Sequence, residues 1–222
     1  MESIKERNKE IQRKRKMMYF IEATQKIMEE EGTDHVTIRR VADIAGYNSA
    51  TIYNYFKNLN HMIAFASIQY LENYNKEFLE AIKQYDDEYE KFIVEWKVFF
   101  KNAFEHPIAF EYIFFSGNEN IGEIMKEYYE IFPVEVDSKD DLEEMHELLK
   151  LANFGYRNEK CLEEFSKGGY IKKENIGIIN EITKCIAHEY ISIAAKQKEG
   201  FDKDKYIKKF ISCINYLINK DK

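Results

Sequence analysis

The sequence of 222 residues holds only two prolines, nine glycines, three cysteines and one tryptophan. So little proline and glycine excludes long Pro/Gly-rich linkers. No apolar run reaches the ~18 residues a membrane-spanning helix needs, and the longest, IAFEYIFF at 108–115, is far too short. The charged N-terminus lacks an apolar signal core, so the expectation is a cytoplasmic protein with no membrane partner. Cys161, Cys185 and Cys213 are odd in number and widely spaced, which suits buried thiols in a reducing compartment. Cys185 and His188 sit three apart on an expected helix, but two ligands do not make a metal site. His35, His61, His106, His146 and His188 form no H-E-x-x-H, and neither G-x-S-x-G nor G-x-x-x-x-G-K-[ST] occurs. The expectation is therefore no enzyme, no cofactor and no metal.

What is present is helical. Ile, Leu and Met are plentiful, with Lys and Glu between them at helical spacing, which argues for an all-α protein. Within the net charge of −7, residues 1–60 are basic by two and the remainder acidic by nine. The run KERNKEIQRKRK at 5–16 has seven basic residues against two acidic ones. Such a run is a solvated helix start, a floppy tail, or a site for a polyanion.

The periodicity predicts a first helix over 8–31, with Phe20, Ile21, Thr24, Ile27 and Met28 on one stripe and Gly32 as its stop. Thr37 can cap a second helix, 38–45, whose Ile38, Val41, Ala42 and Ala45 share a face. Gly46 breaks it, and Asn48 or Ser49 can cap a third, short helix to about residue 55. Two short helices joined by a tight glycine turn are the helix-turn-helix arrangement. Its third helix would lie in a DNA major groove. That accounts for GYNSATIYNYF at 46–56, where tyrosine rings can pack on the domain while their hydroxyls reach phosphate oxygens.

At these residues the sequence resembles the TetR family of one-component transcriptional regulators. TIRRVADIAGYNSATIYNYFKNLNHM at 37–62 is similar to the family's T-x-R-x-I-A-x-x-A-G-V-S-x-x-T-[LIV]-Y-x-[YH]-F-x-[SN]-K-E-x-L, and FIEATQKIMEEEG to its first helix. The resemblance implies a helix-turn-helix domain over 1–58, with a basic arm at 1–16, and a helical ligand-binding and dimerisation domain over 59–222, with nine or more helices in all. It implies DNA contacts for Thr37, Arg39, Asn48, Ser49, Ala50, Thr51, Tyr53, Asn54, Tyr55 and Lys57. The family's Val-Ser is Tyr47-Asn48 here, and its Lys-Glu is Leu59-Asn60, which removes one cation; the basic run at 5–16 is the candidate substitute.

Beyond residue 60 the spacing predicts helices at 59–83, 87–105, 106–117 (opened by Pro107), 122–130, 140–152, 158–167, 173–198 and 203–219. Trp96, Phe100, Tyr112, Phe115, Tyr128 and His188 are candidates for lining a ligand pocket, with Glu111, Glu189 and Arg157 as polar anchors; core packing explains the aromatics equally well. Ile179, Ile182, Ile186 and Tyr190, with Phe210, Ile214 and Leu217, form two stripes that serve a core or, as the resemblance implies, a homodimer interface. The expected function is a regulator, a repressor by resemblance, binding a palindromic operator in double-stranded DNA and released by a small-molecule effector. The alternative is an all-helical interaction module that has lost sequence-specific DNA binding.

Overall fold

The computed structural model describes residues 4–118, 120–133, 154–197 and 200–221. Among these the chain forms eleven α-helices and no strand, as expected. It divides into two compact units, Met1–Tyr70 with Glu123–Glu135, and Leu71–Gly122 with Val136–Lys222.

The first unit opens with α1 (Ile4–Glu31), which begins four residues earlier than the apolar spacing predicts because the basic run is itself helical. Only its second half is buried: Met17, Phe20, Ile21, Thr24, Ile27 and Met28 form the stripe, and each of its Met, Phe and Ile side chains is worth ~1.5–3 kcal/mol on leaving water. Gly32, at φ 97°, ends it. Then come α2 (Ile38–Ala45), α3 (Ser49–Ile52) and α4 (Leu59–Gln69). Helix α8 (Ile121–Ile131) joins them, with Tyr128 meeting Phe65 edge to face at 5.3 Å. This explains why α4 is apolar nearly all round: His61 through Ile68 are all buried.

The single helix expected over 59–83 is two, α4 and α5 (Leu71–Ile82). In an unbroken helix the Ala66 carbonyl would accept from Tyr70; here it accepts from the Gln25 side chain at 3.0 Å. The Tyr70 amide turns to Ser67 instead, at 3.2 Å. Ser67 also donates its hydroxyl back to Ile63, a bond that bends helices.

The second unit is built around α6 (Glu88–Glu105), capped by Asp87, which accepts from the Glu90 amide. Its Phe92, Trp96, Phe99 and Phe100 are buried, and Phe210 of α11 (Lys203–Asp221) closes on Trp96 at 4.2 Å and Phe100 at 4.8 Å. Helix α7 (Pro107–Phe115) has its proline in the first turn, as expected. Helix α9 (Phe154–Lys167) starts four residues before the expected 158, because Phe154 is a buried hub touching Trp96, Phe99 and Phe115. Helix α10 (Ile176–Lys196) is preceded by a 3-10 turn at Lys173–Asn175, which takes up the start of the helix expected at 173–198. Asn158 ties α9 to α10, donating to Asn180 at 2.8 Å and Thr183 at 2.7 Å, so this buried polar pair is satisfied. The helix expected at 140–152 lies outside the described residues.

Candidate nucleic-acid interface

The reading head is held by three caps. The Thr37 hydroxyl accepts from the Arg40 amide at 3.3 Å and starts α2. Gly46, at φ 75°, provides the left-handed residue that lets the chain reverse after Ala45. Of the two cap candidates for α3 the structure selects Asn48, whose Oδ1 accepts from Ala50 N at 2.9 Å. Helix α3 ends at Ile52 rather than near 55, and Tyr53 to Tyr55 continue as turns. A helix this short has little stability of its own. It is pinned by Ile52 and Phe56, both buried, with Val41 and Ala42 of α2 equally buried.

Around these anchors lies an open surface. Thr37, Arg39, Asn48, Ala50, Tyr53, Asn54 and Lys57 are exposed, while Ser49, Thr51 and Tyr55 are half-buried. Tyr53 is 61% exposed, a costly place for a ring unless something covers it. The Tyr55 ring rests 5.8 Å from that of Phe20. The turn residue Tyr47 packs on Phe20 at 5.2 Å and stacks on Tyr19 at 6.4 Å, so its departure from the family's valine is absorbed by α1. Residues 5–16 are solvent-facing along the first turns of α1, with Arg13 3.9 Å from Glu10.

The two adjacent arginines of α2 differ. Arg40 donates to Glu31 and to the His35 carbonyl, and this pairing holds the Glu31 carboxyl below its usual pKa. Arg39 makes no ion pair among the described residues and stays exposed. Lys57 Nζ lies 2.5 Å from Glu127 of α8. Glu127 is also 3.4 Å from His61 Nε2. The Lys57 amide donates to His61 Nδ1 at 3.3 Å, so the neutral imidazole carries its proton on Nε2, toward the carboxylate. Burial pushes the His61 pKa down, against the pull of Glu127. Asn58, which caps α4 by accepting from His61 N at 2.9 Å, is visible in the sequence as a cap residue three before His61; Glu127 carries no such signal.

The other predicted residues are spread more widely. Trp96 stacks on Phe100 at 5.5 Å, and Phe115 stacks on His188 at 4.7 Å, both in the second unit. His188 lies 3.5 Å from Glu111, joining one predicted anchor to one predicted aromatic, while Tyr112 is half-buried and Glu189 exposed. Tyr128 belongs to the first unit and packs there against Phe65 and Tyr129. In the two closing helices Ile179, Phe210 and Ile214 are buried within the chain itself, and Ile182, Ile186, Tyr190 and Leu217 are half-buried. Ile178 and Tyr216, which lie off those stripes, are 59% and 63% exposed. No group of three or more His, Cys, Asp or Glu able to hold a metal exists among the described residues.

Comparison with curated proteins finds no match. Solved structures resemble the chain in fold. The fatty acid degradation regulator FadR from Bacillus halodurans superposes with a TM-score of 0.61 at 15% identity, covering 88% of this chain and 92% of that one. FadR from Thermus thermophilus, a TetR-family transcriptional repressor solved in complex with lauroyl-CoA, has a TM-score of 0.54 at 12% identity, covering 88% and 91%. RolR in complex with resorcinol has a TM-score of 0.54 at 16% identity, covering 91% and 88%. Residues 20–64 match the family model of bacterial regulatory proteins, tetR family, a family of transcriptional regulators and not of enzymes. Those residues span the capped helix-turn-helix described above, and over them the chain is similar to the tetR family of bacterial regulatory proteins.

Proposed function

We propose that the protein is a repressor that binds a palindromic operator as a homodimer and releases it when a small molecule occupies the helical domain at 59–222, the helix-turn-helix being 1–58. The observation that carries the DNA part is α3. Its cap is internal, Ile52 is buried, and the remaining side chains from Asn48 to Asn54 are polar or small, with Asn48, Ala50, Tyr53 and Asn54 exposed and Ser49 and Thr51 half-buried. Phosphate contacts from Thr37, Thr51, Tyr53 and Tyr55 would set register, while Arg39, Ser49, Ala50 and Asn54 would meet base edges.

The dimer reading is supported by an apolar surface left on the closing helices, where exposed Ile178 and Tyr216 adjoin half-buried Ile182, Ile186 and Leu217. Two copies would read half-sites about 34–36 Å apart. The effector reading is supported by the likeness in fold to proteins solved with lauroyl-CoA and with resorcinol. A coupling of about 1–3 kcal/mol between effector and DNA is enough for such a switch.

A second reading, an interaction module without sequence-specific DNA binding, is favoured by one fact: Lys57 is held by Glu127, and Leu59 supplies no replacement cation. A gel shift with the DNA upstream of the protein's own reading frame separates the two. Sharp, salt-sensitive binding at a palindrome is expected; affinity equal to that for random duplex would establish the module instead.

A further inference from the structure

We propose that the cleft bounded by α5, α6 and α9 binds an organic acid with an apolar body, its anionic group held by the Arg157 guanidinium. This rests on the reading of 59–222 as an effector domain. The cleft measures about 530 Å³ and is lined by Phe78, Ile82, Phe92, Glu95 and Arg157, among others. That volume falls in the range of small-molecule sites, roughly 300–1,000 Å³. A narrow extension beneath it, lined by Tyr74, Trp96, Phe99 and Phe154, shares Arg157 and Glu95 with the main cleft.

Arg157 is the unusual group. It is only 9% exposed, and its Cζ lies 4.5 Å from the ring centre of Phe78 and 4.9 Å from that of Tyr74. The rings hold the guanidinium plane in place, a use of arginine that lysine does not match. Yet its Nη2 is buried and has no hydrogen-bond partner among the described residues. A buried, unsatisfied, charged donor is expensive, and an anion arriving in the cleft is the simplest way to relieve it.

The protein does not supply that anion fully. The neighbouring carboxyl, Glu95, is pushed up to about 7 by burial, so near neutral pH it carries only part of a charge. Its hydrogen-bonding partner is the Cys161 thiol, which burial holds in the neutral form. On the rim, Glu88 is engaged by Lys91 at 2.8 Å and Glu164 by Lys167 at 2.6 Å. Beside the guanidinium the cleft therefore holds a partly neutral carboxyl and aromatic rings, with Lys83, Asp86 and Lys160 also on its lining. A cation or a neutral apolar molecule would leave Nη2 unsatisfied. A carboxylate or phosphate matches the guanidinium fork, and the apolar body covers Phe78 and Phe92.

The test uses the full-length protein without DNA. Decanoate is titrated against decanol, and phenylbutyrate against phenylbutanol, by calorimetry. At least one acid is expected to bind roughly ten- to a hundredfold more tightly than its alcohol. Arg157→Gln should erase that difference between acid and alcohol. Should that variant fail to fold, the comparison of acid with alcohol on the unaltered protein still decides, and Arg157→Lys, which keeps charge but loses the fork, should bind the acid at an intermediate level. Acids binding no better than alcohols, or an unaltered preference in Arg157→Gln, overturns the proposal. Operator binding is measured separately: its absence would sink the repressor reading and leave the anion result standing.

Discussion

The reading of α3 as a DNA-facing element is open to a substitution that separates its fold from its function. Asn48 is exposed and does one visible job, accepting from Ala50 N at 2.9 Å. Aspartate caps as well as asparagine, and a negative charge at a helix start is favourable, so Asn48→Asp should leave thermal stability within a few tenths of a kcal/mol. Asn48→Ala removes the cap and should cost about 1 kcal/mol. Against DNA the order is different. A unit charge about 6 Å from a phosphate in water is repelled by ~0.7 kcal/mol. A dimer would carry the charge at both half-sites, giving about 1.4 kcal/mol, or tenfold weaker binding at low ionic strength. Fluorescence anisotropy with an upstream palindromic duplex reads the affinity, and thermal unfolding reads the cap. If Asn48→Asp binds operator as tightly as the unaltered protein at low salt, this surface does not face phosphates and the DNA-binding assignment of residues 48–55 falls.

Other substitutions test neighbouring steps. Ile52→Ala, which empties a fully buried position beneath α3, should destabilise the protein by about 2–5 kcal/mol in urea unfolding. Deleting residues 1–16 should weaken operator binding and flatten the plot of log affinity against log salt by ~0.9 for each phosphate the arm had neutralised; an unchanged slope removes the basic run from the interface. Burial depresses the pKa of His61 in the folded protein, so below about pH 6.5 the unfolded chain binds the extra proton first. The stability from this group is complete above that pH and is lost as pH falls through the folded-state value, and His61→Gln should abolish that part of the slope in denaturation midpoints.

How much of this is legible depends on distance along the chain. The cap at Thr37, the stop at Gly32, the reversal at Gly46 and the apolar pair Val41 and Ala42 are each satisfied within a few residues, so their spacing alone announces them. Helix α7 falls where the sequence places it for the same reason, since Pro107 acts on its own turn. The break between α4 and α5 has no local signal because its cause, Gln25 taking the Ala66 carbonyl, lies 41 residues upstream. Lys57 reads as a free cation because nothing near it in sequence is acidic, and its partner Glu127 stands 70 residues away.

The same distinction governs the ligand and dimer residues. A helix of aromatics at three- and four-residue steps has the same period whether it lines a cavity or fills a core. The closure of Phe210 on Trp96 and Phe100, with Phe154 against Trp96 and Phe104 against Phe100, places those two in packed surroundings. On α10 and α11 two apolar faces compete, and periodicity selects the one containing Phe210 and Ile214, which the chain buries itself, over the one presenting Ile178 and Tyr216. Arg157 stands out from the sequence only as an arginine among aromatics. Its significance comes from what fails to reach it: Phe78 and Tyr74 fix the guanidinium, Glu95 is partly neutral, and Nη2 is left without an acceptor among the described residues. An unmet hydrogen bond has no spacing and therefore no sequence signature. In a cleft of this size it is the feature from which a ligand's charge can be inferred before the ligand is known.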